Sequence, residues 1–243
     1  MSSAPSIDIP SAPQSEISRS PSLDRSAPPR HPSPVSFFIT GTDTGVGKTY
    51  ATRLILQSLR EEGIDAVGYK PISCGDRDDA VQLAEVSGGL KLDEVNPVHL
   101  ASALSPLVAG MLENNPVNPA ELTAGYHQLA NKHAKVIVEG AGGWEVPIAA
   151  GYRVSDLAAE LGLPVVVVAA NKLGALNHII LTVEAIKAKG LTCAGIVLNQ
   201  LEDEMDTAMI TNKGMVEELT GVPLLEHLIF NQNFLDPEGF VGL

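Results

Sequence analysis

The stretch 37–49, FFITGTDTGVGKT, leaves the fewest options open: an aromatic and β-branched run, a glycine-bearing turn, and then Lys48 and Thr49 at the start of a helix-forming segment. An apolar run that stops at glycines and passes directly into a helix reads as strand, turn and helix. Backbone N–H groups in such a turn, together with the positive end of the helix dipole, form a concave anion site without using any side chain. The turn residues Gly45, Val46 and Gly47 would wrap a phosphate. Lys48 adds a point charge for the β- and γ-phosphates, and the Thr49 hydroxyl is placed to coordinate Mg²⁺. The spacing departs from the usual pattern, because five residues rather than four separate Gly41 from Gly47, with Thr42 where the first glycine is expected. The stretch predicts a nucleoside triphosphate site.

The rest of the chain repeats the strand-then-helix alternation. A helix over 50–62 stops at Gly63, the strand DAVGYK over 65–70 ends in Lys70, and a short loop SCGDRD leads to a helix over 79–86. A weak strand follows at 96–100. Ser105 and Pro106 start a short helix, and Asn118, Pro119 and Glu121 supply N-cap, first-turn proline and capping acid for a helix to about Lys132. KVIVE over 135–139 is a buried strand followed by the small-residue turn GAGGW, and Ser155 caps a helix to Leu161. PVVVVAAN over 164–171 is the most apolar run and belongs at the sheet centre. A helix over 176–189, the strand CAGIVLNQ ending in Asn199, a helix over about 205–220 and a closing strand over 223–228 complete the pattern. Strands joined by helices of this length require right-handed crossovers. The expected fold is therefore α/β, a P-loop-containing three-layer αβα sandwich with a mostly parallel central sheet.

Residues 1–34 differ in texture, with ten Ser, eight Pro, three basic and three acidic side chains. Such a stretch cannot bury enough surface to order itself and is expected to be a disordered tail, with a single domain over 35–243. Asp8, Glu16 and Asp24 weigh against an organelle transit peptide, and a mis-assigned start codon is the other reading. A net charge of −13 argues against a nucleic-acid partner. Two cysteines, Cys74 and Cys193, make neither a disulfide framework nor a zinc site, which fits a cytoplasmic protein; no apolar run approaches membrane-spanning length.

Polar residues close several apolar runs: Lys48 with Thr49, Lys70, Glu139 and Asn199. In an open α/β sheet the C-terminal strand ends line one crevice, so these residues are expected to converge on one ligand. The set GTDTGVGKT, GYKP, VEGAGGW, KLGALNH and VLNQ resembles the dethiobiotin synthetase family over about residues 35–228, in order and with matching spacing. VEGAGG together with KLGALNH carries more specificity than the phosphate loop, and that family shares the lengthened glycine spacing.

The resemblance implies ring closure with ATP as co-substrate and Mg²⁺ as cofactor, in which 7,8-diaminononanoate and CO₂ give dethiobiotin, ADP and phosphate, a late step of biotin synthesis. A carbamate forms on one amine, takes the γ-phosphoryl group and is attacked by the second amine. Carbamate and γ-phosphate are both anions, so Lys48 and Lys70 would offset their repulsion. Thr49, Asp79 and Glu139 would supply hard oxygen ligands for Mg²⁺, Asp79 being preferred to Asp78 by comparison with the family's Asp-Ala pairing. Asn199 matches the family's adenine-reading asparagine. Gly140, Gly142 and Gly143 would let backbone approach the substrate. Gly174, Ala175, Leu176 and Asn177 open a helix whose N-terminus, in the family, holds the substrate carboxylate of the neighbouring subunit, which implies a homodimer with its substrate site at the subunit interface.

Two positions depart from the family pattern. Cys74 stands where the family usually has Ser or Thr near the carbamate, and LLEHLIF lacks the Gly and Pro often found after the last strand. Gly45 replaces an acidic residue, a variation the family accepts. Trp144 either lines the substrate site or packs under the turn. The rival from another class is a partitioning or septum-placement ATPase, but TDTGV lacks that group's early loop lysine and no basic amphipathic helix ends the chain. An amide-forming ligase of cofactor synthesis is the nearer rival, and no cysteine motif for supplying its ammonia is present.

Overall fold

The computed structural model describes residues 36–243, so the expectation for the Ser/Pro-rich stretch 1–34 lies outside the described residues. Strand β1 (Phe37–Gly41) and helix α1 (Lys48–Glu61) flank the glycine turn, followed by β2 (Ala66–Tyr69), β3 (Ile72–Cys74), α2 (Asp78–Glu85), α3 (Leu92–Val95), β4 (Val98–Leu100), α4 (Pro106–Leu112) and α5 (Pro119–Ala130). Then come β5 (Lys135–Gly143), β6 (Pro147–Ala149), β7 (Tyr152–Arg153), α6 (Val154–Leu161), β8 (Val165–Ala170), α7 (Ala175–Ala188), β9 (Cys193–Asn199), α8 (Thr207–Thr220), β10 (Leu224–Leu228) and α9 (Glu238–Val241).

Six strands form one parallel sheet in the order β10-β9-β8-β1-β5-β2, with β8, the most apolar run, and β1 at its centre. The period-two alternation of each strand divides its side chains between two cores. Phe38, Val138, Val165 and Val167 lie on one face with Leu122 and Tyr126 of α5, Leu157 of α6 and Ile179 of α7. Phe37, Ile39, Ile137, Val166 and Val168 lie on the other with Leu54, Ile55 and Leu59 of α1 and Phe240 of α9. Each such side chain contributes about 1.5–3 kcal/mol when buried, so neither face of the sheet could be left to water. Helices therefore cover both faces, as the alternation predicts.

Three local expectations are corrected, and two features are present that the sequence reading did not offer. The loop read at SCGDRD begins as strand β3, which pairs with β4 in a separate two-stranded sheet, because a parallel partner satisfies its backbone groups. The GAGGW turn is delayed, since β5 runs on to Gly143, which pairs with Gly41. Ser155 lies inside α6 rather than capping it; the cap is at Arg153, whose N–H donates to Asp156 Oδ2 at 2.8 Å. Helix α3 appears where no helix was expected. Finally, the chain after β10 returns to bury Leu235 and Phe240, and buried Lys135 at the start of β5 donates to the Phe240 and Leu243 carbonyls at 2.7 and 2.6 Å. Burial pulls the Lys135 ammonium down to about 8. Among the described residues, no helix is long and apolar enough to cross a membrane.

Candidate active site

The glycine turn lies at the C-terminal edge of the sheet, between β1 and α1. Gly47 takes the left-handed conformation, φ +86°, as it hands the chain to α1, and a Cβ there would also collide with the Asn199 amide. Val46 anchors the loop by packing into the second core, while Gly45 is exposed. Lys48 and Thr49, the first two residues of α1, are both buried, and Lys48 Nζ curls back to donate to the Asp43 carbonyl at 3.2 Å. Burial, reinforced by the neighbouring Lys70 ammonium, lowers the Lys48 pKa to about 8 against the opposing pull of Glu139, Asp79 and Asp43.

A charged cluster stands beside the loop. Lys70 Nζ, only 4% exposed, lies 2.5 Å from Glu139 Oε1 and 3.0 Å from Asp79 Oδ2, and the Thr49 hydroxyl donates to Glu139 Oε1 at 2.7 Å. Burial pulls the Lys70 ammonium down, but Glu139 and Asp79 together outweigh it and raise its pKa. Partial burial pushes the Asp79 carboxyl up, and Lys70, with smaller help from the Thr49 hydroxyl and Lys48, more than reverses that, leaving it below its ordinary value.

Local sequence explains why these groups meet. Glu139 is two residues beyond Ile137 on β5 and so faces the α1 side of the sheet, where Thr49 begins its helix. Asn96 fixes the other two: its buried Nδ2 donates to the Lys70 carbonyl at 2.8 Å, while its Oδ1 accepts from Ser73 Oγ at 2.8 Å and Arg77 Nε at 3.1 Å. One amide thus ties the end of β2 to β3 and to the start of the helix that carries Asp79.

Two cavities flank the cluster. One of about 330 Å³ is lined by Gly45, Gly47, Lys48, Thr49, Tyr50 and Gln82. A second, of about 440 Å³, is lined by Cys74 and Ser73 of β3, Asp76, Leu104, Ser105 and Val146. Thr44, Lys70, Asp79 and Gly142 belong to both walls, so the two spaces meet at the Lys70 ammonium. Gly142 fits this position because its φ of +65° and the nearby Val146 side chain leave no room for a Cβ. Gly143 is held in the sheet by its pairing with Gly41 and lines neither cavity. Trp144 is buried, edge-on to Phe38, which places it under the turn rather than in the substrate space.

The residues read from sequence do not all meet within one chain. Lys48, Thr49, Lys70, Asp79, Glu139 and Gly142 come together. Asn199 is buried at the end of β9, and its Nδ2 donates to the Val46 carbonyl at 3.0 Å instead of facing either cavity. Gly174, Ala175, Leu176 and Asn177, at the start of α7, line neither cavity, and Asn177 is exposed. The sequence reading missed Thr44, Ser73 and Gln82. Gln82 was within reach, since it lies three residues after Asp79 on the same side of α2.

The donor set can be tested for Mg²⁺. Glu139 Oε2 is fully buried with no hydrogen-bond partner among the described residues, which leaves an anionic oxygen available to a cation. Among the described residues no three His, Cys, Asp or Glu side chains form a metal cage. The available ligands are two carboxylates and a hydroxyl, a hard-oxygen set that suits a metal also bound by phosphate oxygens and water.

A family model described as an AAA domain matches residues 36–232. The ATP-dependent dethiobiotin synthetase BioD of Akkermansia muciniphila is 52% identical over 202 residues, covering 83% of this chain and 95% of that protein. The enzyme of the same name from Bacillus subtilis subsp. natto is 38% identical over 195 residues, covering 78% and 84%. Among solved structures, a ParA family ATPase from Chlorobium tepidum TLS superposes with a TM-score of 0.53 at 14% identity, covering 82% of this chain and 86% of that one. The septum site-determining protein MinD complexed with Mg-ADP from Pyrococcus horikoshii OT3 gives 0.50 at 16% identity, covering 80% of each chain. At such identities the structural likeness shows the fold alone.

Proposed function

Because the chain belongs to the ATP-dependent dethiobiotin synthetases, ligases of biotin biosynthesis within the P-loop AAA-domain family, we propose that it closes the ureido ring of dethiobiotin from 7,8-diaminononanoate, CO₂ and ATP at the junction of its two cavities. One observation carries this reading: Lys70, Thr44, Asp79 and Gly142 are shared by the phosphate-loop cavity and the neighbouring one, so a phosphoryl donor and an acceptor would meet there.

The triphosphate occupies the smaller cavity, held by the N–H groups of the turn at Gly45, Val46 and Gly47 and by Lys48. The diamine occupies the larger one, against Cys74 and Gly142. One amine adds to CO₂ and loses a proton to give a carbamate. A carbamate oxygen then attacks the γ-phosphorus, the bond to the β,γ-bridging oxygen breaks, and ADP leaves. The second amine attacks the carbamoyl carbon, loses a proton and expels phosphate, closing the ring. Lys48 and Lys70 neutralise the two anions as they approach, and the buried surroundings strengthen that effect. Thr49, Asp79 and Glu139 would hold Mg²⁺, which when bound supplies charge neutralisation at the phosphate oxygens. The α7 N-terminus at residues 174–177 points to a homodimer in which it receives the substrate carboxylate bound by the partner subunit, and the cytoplasm is the expected compartment.

Incubation with ATP, Mg²⁺, bicarbonate and 7,8-diaminononanoate should yield ADP and dethiobiotin in equal amounts. Nucleotide turnover indifferent to the diamine would refute the proposal. A second expectation follows from Lys48. In the free enzyme its charge is lost as pH rises through about 8, whereas bound triphosphate favours the ammonium. ATP binding at about pH 8.5 should therefore take up a substantial fraction of one proton. Calorimetric enthalpies in buffers of different ionisation heat should differ accordingly, and Lys48→Ala should remove the difference.

A further inference from the structure

Asn199 closes β9 on the far side of the phosphate loop from Lys70, and its strand end is pinned on both flanks. Its carbonyl accepts from Asn171 N–H at 2.8 Å, and the next residue, Gln200, donates its N–H to the Leu228 carbonyl at 2.9 Å. From this fixed point the buried side chain reaches the Val46 carbonyl with Nδ2 at 3.0 Å. A carbonyl only accepts, so the amide nitrogen must face it. Where Asn199 meets the loop, the absence of a side chain at Gly47 is what admits the amide. In a planar trans peptide the Gly47 N–H points opposite to the Val46 C=O. Holding that carbonyl toward β9 therefore turns the Gly47 N–H away from β9, and Gly47 lines the 330 Å³ cavity.

We propose that Asn199 is a positioning residue of the phosphate loop, fixing the peptide between Val46 and Gly47 so that it binds the triphosphate of any nucleotide, whatever its base. The inference rests on the reading of this edge as a nucleotide site and assigns to Asn199 a task separate from recognition of the base. A residue that contacts only the base would leave the binding of inorganic tripolyphosphate untouched.

The test is calorimetric titration of the intact wild-type chain, Asn199→Ala and Asn199→Asp with tripolyphosphate, ATP, CTP and GTP, with thermal unfolding to confirm that each variant is folded. The aspartate variant keeps the size of the side chain and removes its donor. Both variants should bind tripolyphosphate about tenfold more weakly or worse, and ATP, CTP and GTP should each be weakened by at least that factor. Folded variants that bind tripolyphosphate as the wild type does, while losing the preference among the three nucleotides, would overturn the proposal. A wild-type chain that binds neither ATP nor tripolyphosphate would instead remove the nucleotide reading beneath it.

Discussion

Replacing Glu139 with glutamine is expected to reduce dethiobiotin formation by at least about 100-fold, the scale typical of losing one preorganised electrostatic group. Glu139 is fully buried, accepts from Lys70 and Thr49 through one oxygen and leaves the other without a partner. The other carboxylate on Lys70, Asp79, is half-exposed and cannot replace a buried charge at this point. Glu139→Ala should also destabilise the fold by about 3–5 kcal/mol, because it leaves the buried Lys70 ammonium with the half-exposed Asp79 as its one carboxylate partner. Urea unfolding of Glu139→Ala and of Glu139→Ala with Lys70→Met separates the two effects. The double variant should recover much of the stability and none of the activity. A Glu139→Gln enzyme with near-normal turnover would remove this carboxylate from the proposed metal site.

Lys48→Ala is expected to lower kcat/KM for ATP by about 100-fold or more with little loss of fold. The ammonium makes one backbone contact, to Asp43, and burial already depresses its pKa to about 8. It is a charge held out of water for use on an anion. Lys48→Arg should not rescue, since a buried space that admits a compact ammonium does not suit a planar guanidinium. The pH dependence has opposite signs for activity and stability. ATP affinity should fall as pH rises through about 8. Over the same range upward to the ordinary lysine value of 10.5 the unfolded chain holds more protons at this lysine than the folded one, so the contribution of Lys48 to stability rises with pH. An ATP affinity flat from pH 7 to about 9.5 would remove the role assigned to its charge.

KVIVE shows an acid at a strand end, but it cannot show that β5 continues four residues further and buries that acid completely. Periodicity reports which way a side chain points relative to its own strand, not where the strand stops. Asn199 was also legible as a strand-end amide, whereas its grip on the Val46 carbonyl depends on a loop 153 residues away. The pairing of β3 with β4 and the return of the C-terminal segment onto Lys135 were invisible for the same reason, since short or irregular segments owe their form to partners distant in the chain.

The sequence by itself determined the strand, turn and helix at 37–49, the parallel α/β order and the set of polar residues at the C-terminal strand ends, because these follow from local periodicity and from the geometry of parallel crossovers. Tertiary structure alone decided how that set divides. Thr49, Lys70 and Glu139 are buried and form one cluster with the half-exposed Asp79 beside two cavities, Asn199 turns back to the Val46 carbonyl of the phosphate loop, and the start of α7 stays outside both spaces. Burial and strand register set these partnerships, and neither is encoded in any single window of the chain.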